Sequence, residues 1–266
     1  MESSNPVFKR TVGLGNLPAS QQGSTTVLDH QTLEEQYQAP SATTLHTGRM
    51  TIDDVITRTS LMFGVLLIFG AAAWTLNLGS GVLLVSAIAA LVMGMVLSFA
   101  RNVRPGFAIA YAALEGLTLG VLSHYYEAAY PGIISQALLG TAAAFIGVLI
   151  AYRSKRVQVT PRFTRALMGA LVGYMILGLG SMIAAMFGVG HGYGLYGVSG
   201  LGLLLAIGGV ALASFFLILD FEQVNQMIRN GAPHQEAWRA GFGLMVTIVW
   251  LYMEILRLIS VLRDNR

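Results

Sequence analysis

This sequence predicts an all-α polytopic membrane protein with seven transmembrane helices. Three observations lead there. Hydrophobic residues make up 55% of the chain's 266 and charged residues only 11%, against about 25% charged in a soluble domain. Successive apolar runs of about 20 residues are each long enough to cross a bilayer as a helix. The basic residues fall in alternate connections between those runs.

Residues 1–48 are polar, rich in Ser, Thr, Gln and Pro, and show no sustained period. They are expected to form a disordered cytoplasmic tail, leaving 49–266 as the transmembrane domain. Thr51, followed by Asp53 and Asp54, suits a helix N-terminus, where carboxylates meet exposed amide groups. The spans then run over 55–76, 81–100, 106–123, 132–152, 166–187, 198–221 and 241–262. Pro105 suits the first turn of the third span. His124, Glu127 and Pro131 are placed in the loop after it. The sixth helix is expected to continue to about residue 228, where Gly231 and Pro233 stop it.

Orientation follows from the bases. The second-to-third, fourth-to-fifth and sixth-to-seventh connections carry Arg or Lys, and the other three carry none. The most basic is the fourth-to-fifth, with Arg153, Lys155, Arg156, Arg162 and Arg165. The N-terminus is therefore expected in the cytoplasm and the protein in the plasma membrane as a multi-pass protein. Arg263 and Arg266 at the far end run against an external C-terminus, so a seventh segment that stops short stays open. No short apolar stretch opens the chain, and no cleavable signal peptide is expected.

Composition and motifs exclude several classes. Without cysteine there is no disulfide framework and no thiol nucleophile. No His-Glu-x-x-His occurs, and the five histidines are placed in the tail or loops, so no cofactor or resident metal is expected. The seventh span has no lysine for a retinal Schiff base. Orientation explains the basic loops, and no nucleic-acid partner is expected. Gly197-Val198-Ser199-Gly200 resembles the nucleophile motif of rhomboid-type proteases. That chemistry needs a histidine on a later membrane helix, and the only later one, His234, is in a polar loop, so no enzyme is expected. Small-residue pairs (Gly116 with Gly120, Gly169 with Gly173, Gly209 with Ala213) read as bundle packing.

The membrane acids carry the functional argument, because an ionisable group in hydrocarbon costs about 2.5–3.5 kcal/mol on insertion scales. Glu115 lies mid-span on a face with Tyr111 and Thr118. It is either part of an ion path or a protonated acid bonded to a neighbouring helix. Asp220 ends the sixth apolar run, either as an interfacial acid or as a site. Glu254 sits deep in the seventh, either paired locally with Arg257 or facing Asp220. The two would be level only if the chain reversed near residue 237, with part of 233–240 laid along the membrane surface. Two carboxylates sharing a dry site cannot both ionise, and they titrate as a unit. Deprotonated, they offer the hard oxygen ligands that calcium takes.

The segments around Glu115 (FAIAYAALEGLTLG), Asp220 (LILDFE) and Glu254 (WLYMEILRL) resemble the Bax inhibitor family, over about residue 50 to the end. The resemblance implies a seven-helix membrane protein with its last helix central to the bundle. It also implies, for a bacterial member, a pH-sensitive calcium leak channel. Asp220 and Glu254 would be the pH sensor and ion-binding (metal) pair, with glutamate replacing the family's second aspartate. Arg101, with Arg104 behind it, would be the gate latch. The implied partners are the lipid bilayer, protons and calcium as transported ion. In the alternative, the protein is a non-transporting regulator that binds another membrane protein, such as a membrane-bound protease.

Overall fold

A computed structural model describes residues 48–154, 159–189, 194–197 and 200–264. Residues 1–47, which hold nearly all of the expected tail, lie outside it, as do Lys155, Arg156, His191 and Ser199. Seven α-helices follow in order: α1 Ile52–Thr75, α2 Ser80–Phe99, α3 Pro105–Ala129, α4 Ile133–Arg153, α5 Pro161–Met186, α6 Leu201–Arg229 and α7 Ala237–Asp264. No β-strand occurs among the described residues. All seven are long and apolar enough to cross a membrane.

Local chemistry sets the helix ends. Thr51 and Asp54 form a capping box at α1, with the Asp54 side chain accepting from Thr51 N at 2.9 Å. Asn77 takes the left-handed conformation, φ 49°, that turns the chain into α2. Pro105 opens α3. That helix runs six residues past the expected end at 123, so His124 and Glu127 belong to its last turns rather than to a loop. Glu127 stays useful there, because its carboxylate accepts from Gly132 N and Ile134 N and caps α4.

The last helix is central, packing against α1, α3, α4 and α6. Its length of 28 residues corresponds to about 42 Å, more than the ~30 Å hydrocarbon core. Near its C-terminal end Arg263 donates to the Pro131 carbonyl at 2.8 Å, at the start of α4. The seventh helix thus runs the full height of the bundle. One end, which carries Arg104, Arg153 and Arg229, is called the basic end below.

Close helix approaches fall where small residues allow them. A Cβ on Gly116 would lie 2.4 Å from the Leu66 carbonyl oxygen, and one on Gly120 would lie 2.3 Å from that of Gly70. The Gly116/Gly120 pair therefore seats α3 on α1. Gly169 and Gly173, at the same spacing, have nothing within 4 Å and face outward. Gly120→Ala is expected to lower stability by about 1–3 kcal/mol, because the clash is with backbone. Gly169→Ala should be neutral or slightly stabilising. Thermal unfolding of both variants in detergent checks this, and equal Tm values for the two would contradict the packing.

Candidate functional site

The site is built on the α6–α7 hairpin. Gly231, with φ 67°, ends α6, and a 3-10 turn at His234–Glu236 leads straight into Ala237. No surface connector lies between them, so the condition that would make Asp220 and Glu254 level is not met. Thr247 of α7 lies beside Asp220. Glu254 faces Gly209 of α6, where a Cβ would lie 2.3 Å from its Oε2. Both facing pairs are centred on the turn, as an antiparallel hairpin requires. Glu254 lies seven residues beyond Thr247, about 10 Å along the helix. The structure therefore does not bring the two carboxylates together.

Each acid has its own surroundings. Glu254 is 2% exposed. Arg257, one turn along, donates to Oε1 at 3.3 Å and Oε2 at 3.2 Å, and Trp250, one turn back, donates to Oε1 at 3.0 Å. The local pair with Arg257 is thus formed. Tyr174 of α5 accepts from Arg257 at 3.3 Å and from the Tyr196 hydroxyl at 3.0 Å. The Arg257 guanidinium also lies 4.4 Å from the centre of the Tyr196 ring. A cavity of about 320 Å³ opens beside these groups.

Asp220, half-buried, lies beside Thr247, and its Oδ2 is buried and has no hydrogen-bond partner among the described residues. Glu115 lies beside Tyr111 on its own helix, and the Tyr111 ring packs edge-on against Phe242 of α7, with 5.1 Å between ring centres. One turn on, Thr118 donates to Ser86 at 2.9 Å and ties α3 to α2. Among the described residues Glu115 has no contact with Asp220 or Glu254. Arg101 and Arg104 are exposed in the α2–α3 connection, where Arg239 of α7 donates to the Arg101 carbonyl. Neither forms an ion pair with either acid among the described residues, and the guanidinium held at a membrane acid is that of Arg257.

Sequence reasoning missed Tyr174, Trp250 and Tyr196, and it read Gly209, with Ala213, as bundle packing without seeing that it faces Glu254. Trp250 was within reach, four residues before Glu254 and so on the same face. Tyr196 was not, because it is positioned by a 3-10 turn wedged between Ser181 and Gly202 through contacts of Gly194 and Tyr196 backbone. Among the described residues no three His, Asp or Glu converge to hold a metal.

Seven membrane-length helices, the last of them central, with acids set in the last hairpin, define a polytopic membrane protein with an intramembrane polar site. The chain belongs to the Bax inhibitor 1 like family, whose profile matches residues 5–264. The match takes in most of the N-terminal tail, which the sequence reading left outside the likeness. An uncharacterised protein of Chlamydia muridarum (strain MoPn / Nigg) is 34% identical over 82 residues, 31% of this chain. The chain covers 34% of the length of that relative.

Removing one partner of the Glu254–Arg257 pair leaves the other without compensation. Arg257→Gln is expected to destabilise by up to about 3 kcal/mol, with much of the loss recovered in the Glu254→Gln, Arg257→Gln double variant. Additive losses in a thermal-unfolding cycle would contradict the pairing.

Proposed function

We propose that the protein is a pH-sensitive leak for cations, calcium foremost, along the α6–α7 seam, with Asp220 and Glu254 as ion-binding and proton-sensing stations. The contrast between the two acids carries this reading. Asp220 keeps a buried carboxylate oxygen without a partner, as an ion ligand would need. Glu254 already holds a cation, the guanidinium of Arg257. Arg257 therefore serves as the latch in this reading, in place of Arg101 or Arg104. The acids act at two levels of the seam rather than as one proton-sharing pair. Glu115 is a side branch joined to α7 through Tyr111 and Phe242.

The chemistry follows from charge. Protonating Glu254 removes its attraction for Arg257 and frees the latch. A calcium ion needs deprotonated oxygens, so deeper acidification that also protonates Asp220 empties the ion site there. Flux should therefore rise and then fall as pH drops. The N-terminus is cytoplasmic in this reading, by the charge rule, and the membrane is the plasma membrane. No catalytic activity is assigned, and turnover abolished by Ser199→Ala would count against that.

A regulator that binds another membrane protein is the second reading. One observation favours it: residues 48–50, which lead into α1, are bonded to the α6–α7 turn. Met50 N donates to the Ala232 carbonyl and His234 N to that of Gly48, both at 2.8 Å. A partner on the tail would pull directly on the hairpin. That version fails if deleting residues 1–47 leaves the same proteins bound.

Calcium entry into liposomes containing the purified protein, followed from pH 8 to pH 5, tests the channel reading. Glu254→Gln is expected to raise flux about tenfold at the high-pH end and to flatten the rise, the equivalent of about 1.4 kcal/mol taken from the closed state. Asp220→Asn is expected to reduce calcium flux at every pH. Unaltered flux in both variants would overturn the proposal.

A further inference from the structure

A cleft of about 1560 Å³ opens sideways between α1 and α4. It follows α1 from Ile52 to Thr75, about 35 Å at the rise of an α-helix, and so runs the depth of the hydrocarbon core. Leu119 of α3, Phe221 of α6 and Leu244 of α7 form part of its floor. Large and small side chains alternate along the walls, Phe63 beside Gly64 on α1 and Phe145 near Ala142 on α4. That leaves a ruffled, almost wholly apolar channel with room for a flexible chain.

Its two ends differ. Arg153 is the only charged residue lining the cleft among the described residues, and it stands at the mouth on the basic end. Arg153 is exposed and forms no ion pair among the described residues. Tyr152 and Asn225 line the same mouth, hydrogen-bonded to each other. The neighbouring Glu222 is taken up by Tyr152 at 2.8 Å and Gln226 at 3.1 Å.

We infer that the cleft is a binding site for an anionic glycerophospholipid from the leaflet at the basic end, with an acyl chain along the α1–α4 walls and the phosphate on Arg153. Inside a bilayer an acyl chain gains nothing from leaving water, so the shape of the channel sets the fit. Selectivity comes from the head group, because a basic pocket between helices favours an anionic one. The inference is independent of any channel activity.

The test is native mass spectrometry of the full-length protein, released from mild detergent with equal amounts of phosphatidylglycerol and phosphatidylcholine. Phosphatidylglycerol should be retained about fivefold over phosphatidylcholine, the equivalent of roughly 1 kcal/mol for one basic contact. Arg153→Gln should abolish that preference and Arg153→Lys should keep it. Both change an exposed side chain, and an unaltered elution volume shows that the bundle is intact. Ala142→Phe, which narrows the channel, should reduce retention of both lipids. Equal retention by the unsubstituted protein would overturn the inference. So would a preference that survives Arg153→Gln, or a second polypeptide retained in place of lipid.

Discussion

The tight reversal after α6 governs the rest of the site. Gly231 in the left-handed region and the short 3-10 turn at His234–Glu236 leave no spare chain between the two helices. Once the turn is fixed, so is every level along the α6–α7 seam. Asp220 must meet Thr247, and Glu254 must meet Gly209. The turn is fixed in its own place by the backbone bonds from residues 48–50 and by the contact of His234 Nε2 with the Asp54 carboxylate at 3.1 Å. The start of α1 thus helps to hold the register of a hairpin that is distant from it in sequence.

That register separates two acids which chemistry alone would bring together. Glu254 lies where hydrocarbon would otherwise surround it. It is tolerated there because Arg257, Trp250 and the space left by Gly209 satisfy it within the bundle. The aromatic shell of Tyr174 and Tyr196 holds the guanidinium in turn. Asp220 is held more loosely, beside Thr247 and with one buried oxygen that has no partner among the described residues. The molecule therefore has one occupied and one open carboxylate on the same seam. That arrangement suits a site whose occupancy changes.

Much of the fold was legible in the sequence, because bilayer thickness forces apolar runs of one length and the caps are local. Thr51 with Asp54, Pro105 and Gly231 all set ends where short-range chemistry places them. The overrun of α3 was not legible: His124 and Glu127 look like loop residues, but one packs edge-on against Trp74 and the other caps the next helix. At the site, the acids and Arg257 could be read from helical spacing. Gly209 could be read from its spacing as a close-packing residue, but its facing of Glu254 and the place of Tyr196 could not, since these come from contacts between helices that no periodicity encodes. The offset between the acids was legible in part, because the turn residues fell too early in the chain for the two to be level.

The register itself is open to direct measurement, because the chain has no cysteine to confuse it. Cysteines are introduced in pairs at Asp220 and Thr247, and at Asp220 and Glu254, and treated with a short thiol-specific cross-linker in membranes. The account predicts efficient cross-linking of the 220–247 pair and none of the 220–254 pair. The reverse result would contradict it, because the two carboxylates would then be partners and Arg257 would not be the group that closes the seam.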